Sequence, residues 1–153
     1  MKNKVFLTGI LMSLLSLATA AQNDHPREPD LNKPLLFSDM PPVLTVPVAE
    51  LERLLTLSPN STASILLNEQ FSYNGIVNSV TSANNDKLLT VIIRSDNRQG
   101  SFLRLSKNIA DDGTVSYTAR ILSFQHGDCF VLKKGRDDKY LFEKMKFYDV
   151  VNE

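Results

Sequence analysis

A mainly β fold is predicted for this chain, and three observations predict it. Beyond residue 60 the apolar side chains recur with a period of two. The alternating runs are separated by turn-forming clusters: Asn84-Asn85-Asp86, Asp96 to Gly100, Asp111-Asp112-Gly113, His126-Gly127-Asp128 and Gly135 to Asp138. Proline and glycine also divide the chain. All seven Pro lie at or before Pro59, and five of the six Gly lie after it. The expected architecture is an antiparallel meander of six or seven strands closing into a small barrel or a tight sandwich. One short α-helix and an extended, Pro-rich arm precede it.

The first twenty residues read as a secretory signal. Lys2 and Lys4 form a basic head, an apolar run extends from Val5 to Leu17, and Ala18-Thr19-Ala20 is a small-x-small cleavage pattern. The apolar run is too short for a membrane span. The mature chain is expected to begin at Ala21, exported to the periplasm or beyond the cell, with no membrane span. Residues 21–45 follow as an extended or disordered arm carrying five prolines, and Leu35-Leu36-Phe37 is apolar enough to dock. Residues 46–153 are expected to form a single β domain. Its helix is predicted over Pro47 to Leu57, because Val48, Leu51 and Leu55 recur at helical spacing and Pro59 stops it. Strands are predicted near 63–67, 70–81, 87–95, 101–107, 114–125, 128–134 and 138–147. Gly75 interrupts one of them and reads as a bulge or bend that lets the sheet curl.

Parity assigns the faces. Phe71, Tyr73, Val77, Leu89, Val91, Ile93, Leu103, Leu105, Val115, Tyr117, Ala119 and Ile121 share odd numbers and should form the core. Full burial of Tyr117 is expected on this reading. Even positions carry Ser72, Asn74, Thr90, Arg94, Arg104, Thr118 and Arg120, as a solvent face should. They also carry Ile76, Ile92, Phe102, Leu122 and Phe124, an apolar set too large to leave bare. The helix over 47–57 is expected to cover it. Otherwise the helix plugs one barrel end, and the strip is a binding surface.

Composition narrows function. The chain has 17 basic and 17 acidic side chains, so it lacks the basic excess that nucleic acid demands. Cys129 is the lone cysteine, so no internal disulfide can form. With His25 and His126 as the only histidines, no metal and no cofactor is expected. His126, Asp128 and Cys129 share one turn and suggest a thiolate nucleophile or a metal site. A polar turn followed by a half-buried Cys explains the same residues. Asp111-Asp112 and Asp137-Asp138 read as turn residues. Arg94, Arg104 and Arg120 fall on the even face, where hairpin register gathers them into a candidate anion site beside Phe102.

From Phe71 onward the chain resembles a group of small exported bacterial β-rich proteins of unassigned function. The segments that carry the likeness are Phe71-Ser72-Tyr73-Asn74-Gly75, Tyr117-Thr118-Ala119-Arg120-Ile121, His126-Gly127-Asp128 and residues Phe147 to Glu153. The resemblance implies no activity and no functional residue. The sequence therefore points to a non-enzymatic exported binding module, a monomer or weak oligomer, for a protein or cell-envelope partner. A small-molecule carrier using the barrel interior and a thiol enzyme using Cys129 are the alternatives.

Overall fold

Eight antiparallel strands form one sheet in the computed structural model, which describes residues 30–67, 71–136 and 139–151. The segment expected to be a signal lies outside the described residues. The strands are β1 (Val43–Val46), β2 (Thr62–Leu66), β3 (Ser72–Ala83), β4 (Leu88–Ser95), β5 (Phe102–Ile109), β6 (Val115–Leu122), β7 (Asp128–Lys134) and β8 (Tyr140–Lys146). Helix α1 (Val48–Leu55) joins β1 to β2, and α2 (Phe147–Val151) ends the described chain. The order across the sheet is β1-β8-β7-β6-β5-β4-β3-β2. From β2 to β8 this is the predicted meander.

The sheet curls into a half-barrel and does not close, which corrects the expectation of six or seven strands in a closed barrel or a sandwich. The physical reason lies on the concave side. Helix α1 packs there against β2, β4 and β5, with Leu51, Leu54 and Leu55 buried. The interior of an eight-stranded barrel has room for side chains alone, so a sheet that encloses a helix stays open. The two free edges are protected instead. Pro42 and Pro47 bracket β1. On β2, the Arg53 guanidinium donates to the Ser64 carbonyl.

Odd parity holds through the central hairpins. Val91 pairs with Leu105 and Ile93 with Leu103, and Leu105 pairs with Ala119 and Leu103 with Ile121. All six are buried on the concave face. The parity switches at a β-bulge between Val77 and Ser79, after which Val80 turns inward. It switches again at β7, where Arg120 faces Val131, and Phe130 and Leu132 take the inner positions.

The helix does not lie over the even face as predicted. It packs on the odd face, because that is where the larger apolar surface and the interior of the curl coincide. A corner of the even face is covered by α2 instead. Phe147 and Val150 bury Leu122 and Cys129, with Phe102 and Val131 packed beside them. The last strand accordingly stops at Lys146, and Phe147 begins the helix.

The described part of the arm is built into the fold. Phe37 is 1 % exposed and sits edge-on to Phe130, with ring centroids 5.1 Å apart. The buried Asp128 carboxylate accepts from the backbone N–H groups of Leu36 at 2.7 Å and Phe37 at 3.0 Å. Lys144 Nζ donates to the carbonyls of Phe37 and Met40, both at 2.5 Å. Arg98 holds both Asp39 carboxylate oxygens, at 2.9 and 2.7 Å. Beyond Pro42 the arm becomes β1, which pairs with β8, and Val43, Leu44 and Thr45 of it are residues that the sequence reading left in the arm.

Tyr117 is half-buried, not fully buried. Its hydroxyl donates to Glu52 of α1, and its ring lies edge-on to Tyr140 at 5.4 Å. That hydroxyl needs a polar partner near the rim, which keeps the ring from the deepest layer. Tyr117→Ala is therefore expected to cost about 2–3 kcal/mol, below the range for a fully buried aromatic. Thr118→Ala, on the convex face, should stay within about 0.5 kcal/mol. Chemical denaturation of the two variants checks the contrast, and equal losses would contradict the facing.

Two carboxyls tie distant segments together. The Lys107 ammonium, then the Tyr117 hydroxyl, hold Glu52 below its ordinary pKa of 4.5. The Arg98 guanidinium holds Asp39 below 3.8. A depressed folded pKa contributes stability that is fully present above the ordinary value and is lost as pH falls through the folded one. Stability is thus expected to decline on acidification below about pH 4.5. The Glu52 and Asp39 side chains are 40 and 52 % exposed, so solvent screening keeps the decline modest. Denaturant midpoints measured against pH should flatten there in a Glu52→Gln/Asp39→Asn double variant.

Candidate functional site

The convex face presents cross-strand rows of residues that are even-numbered from β4 to β6 and odd-numbered on β7. One row runs Ile92, Arg104, Arg120, Val131, with each residue directly opposite the next. A second runs Ile76, Arg94, Phe102, Leu122. A third runs Thr90, Ser106, Thr118, and the first two hydroxyls share a hydrogen bond of 2.8 Å. The strand period places these side chains outward because their strand neighbours fill the core.

Arg104 and Arg120 are thus brought face to face. Arg94 is displaced by one row, diagonal to Arg104 and beside Phe102. All three side chains are exposed, and among the described residues none of these guanidiniums makes a hydrogen bond or an ion pair. Like charges directly opposite on a sheet repel, so this pair costs stability as it stands.

The sheet also divides at this point. The β6–β7 ladder consists of two pairs, Arg120 with Val131 and Ile121 with Phe130. Toward Val115 on β6 and Lys134 on β7 no further pairs form. A groove of about 330 Å³ opens there, lined by Arg104, Arg120, Ser106, Thr118 and Val131. The two hydroxyls and two guanidiniums give it donors, and Val131 gives it an apolar wall.

An aromatic patch adjoins the second row. Phe124 is 63 % exposed and lies 5.8 Å from both Phe102 and Phe147 between ring centroids. Lys33 from the arm donates to the Phe124 carbonyl at 2.7 Å and sits over the Phe147 ring at 4.9 Å. Phe102 is half-buried, so Phe124 supplies the accessible ring at a site that the sequence reading credited to Phe102. Even parity carried past the end of β6 is the signal that pointed to it.

The His126, Asp128 and Cys129 side chains take three separate structural duties. His126 Nδ1 lies 2.9 Å from Ser123 Oγ, and Asp128 anchors the arm. Cys129 is fully buried beneath α2, with its thiol 3.7 Å from the Met145 carbonyl. Burial pushes that thiol up to about 11, so it stays protonated and away from solvent. Among the described residues, no group of three or more His, Cys, Asp or Glu side chains is placed to hold a metal ion. Asp111 pairs with Lys87 at 2.8 Å, and Asp112 accepts from the Thr114 N–H at 2.8 Å, both as turn residues. Asp137 and Asp138 lie outside the described residues.

The convex face of the open half-barrel thus carries an opposed arginine pair, with an exposed aromatic patch beyond the adjoining row. Comparison with protein-family models, with curated proteins and with solved structures found no match. Among the described residues, no helix is long and apolar enough to cross a membrane.

Proposed function

We propose that this chain is an exported, non-enzymatic β module that captures a protein or cell-envelope partner on the convex face of its sheet. One observation carries the reading: Arg104 and Arg120 oppose each other without a neutralising acid, and the exposed Phe124 ring lies on the same face beyond the Phe102–Leu122 row. Such a face is unfavourable when bare and gains from a partner that supplies negative charge and apolar surface. The concave side supports a structural role instead. Phe37, Leu51, Leu54, Phe130 and Phe142 fill it, each at most 1 % exposed, which leaves a carried small molecule little room there. The buried, protonated Cys129 thiol likewise weighs against thiol catalysis.

Phe124→Asp tests the surface. The variant should keep the wild-type melting temperature and circular dichroism, because the ring is largely in solvent. Its capture of a partner from the envelope fraction should fall at least tenfold (about 1.4 kcal/mol). The control Lys87→Glu, at the far end of the β3–β4 hairpin, should capture normally. Equal capture by both variants would remove the convex face from the mechanism.

A further inference from the structure

We propose that the convex row running from β4 to β7 binds an acidic, extended peptide segment, with a carboxylate between Arg104 and Arg120. This names the partner chemistry for the face described above and rests on that reading. The row itself carries the argument. Ile92, Arg104, Arg120 and Val131 present an apolar side chain, two guanidiniums and an apolar side chain in sequence. Strands lie about 4.8 Å apart, so the row spans roughly 14 Å. Alternate side chains of an extended segment share a face, about 6.6 Å apart. An acid centred over the arginine pair therefore sets the aliphatic residues two positions before and after it over Ile92 and Val131.

Three further observations agree. The guanidiniums are exposed and carry no ion pair among the described residues, so their donors remain available for bidentate contact with carboxylates. Ser106 and Thr118 line the groove beside this row and add hydroxyl donors. On the β7 side, Lys133 follows Val131 on the convex face, while Glu143 stands opposite Val131 on β8. That acid bounds the positive strip, so the ligand's charge is best placed centrally, over the arginine pair. A free phosphate would satisfy the guanidiniums yet leave Ile92 and Val131 unused, which favours the peptide.

The mature protein is titrated with a capped decapeptide holding Val-Ser-Glu-Ser-Ile at its centre, with its Gln counterpart, and with inorganic phosphate. The Glu peptide should bind, the Gln peptide at least tenfold more weakly, and added salt should weaken the Glu peptide alone. Arg104→Gln and Arg120→Gln should each reduce Glu-peptide binding about tenfold. Both variants should melt at or above the wild-type temperature, because the opposed charges are relieved. Equal binding of the two peptides overturns the proposal. So does phosphate binding with the same arginine dependence when the Glu peptide has no advantage over the Gln peptide. If partner capture falls in Phe124→Asp yet survives in both arginine variants, the convex face stands as the binding surface and the acidic-segment assignment falls.

Discussion

Gly75→Ala is expected to destabilise the protein by about 3 kcal/mol or more, at the upper end for one added methyl group. Gly75 lies in β3, between Ala63 of β2 and Ser95 of β4, and faces the concave side. The curl brings the neighbouring strand so close that a Cβ would stand 2.1 Å from the Arg94 carbonyl oxygen and 2.8 Å from its carbon. Those are backbone atoms of a paired strand, so the conflict is relieved only by opening the ladder. Gly113→Ala is the comparison. It has a positive φ of 84° with nothing within 4 Å of the added carbon, so only the left-handed backbone penalty of about 1 kcal/mol applies. Equilibrium unfolding of both variants distinguishes close approach from backbone freedom. A Gly75→Ala protein as stable as Gly113→Ala would show that the sheet is less tightly curled.

Phe37→Ala should cost about 3–5 kcal/mol, the range for a buried aromatic truncated to Ala. The residue belongs to the arm, a segment whose prolines and irregular pattern suggest a mere tether. Its ring nevertheless packs on Phe130 in the main core, and its N–H bonds to buried Asp128. Leu35→Ala, two residues earlier and 58 % exposed, should change stability by less than about 0.5 kcal/mol. Thermal or denaturant unfolding of the pair measures how far the arm is part of the folded unit. Comparable small effects at both positions would return the arm to a tether.

The seven strands from β2 to β8 were legible because each obeys a local rule. Alternation buries one face, and Asn, Asp and Gly end each run. Parity then followed from hairpin register, and with it the convergence of Arg104 and Arg120. Other elements carry no such signal. Strand β1 is four residues between prolines, too short to show a period. Helix α2 is Phe-Tyr-Asp-Val-Val, whose aromatic and β-branched residues suit a strand equally well. The β6–β7 separation is invisible locally, since each strand keeps its own alternation after the ladder ends.

What the sequence by itself determined is therefore what neighbouring residues govern: the meander, its turns, the inner and outer faces of the central hairpins and the opposition of Arg104 and Arg120. The tertiary structure alone decided which apolar surfaces met. It placed α1 inside the curl and so kept the sheet open, laid α2 over Leu122 and Cys129, and drew Phe37 onto Phe130. Burial is non-directional, so an apolar stripe specifies that it must be covered without specifying by what. The choice belongs to long-range geometry. The interior of a curled sheet offered α1 the larger apolar contact, and the corner left uncovered went to the segment that emerges beside it from β8.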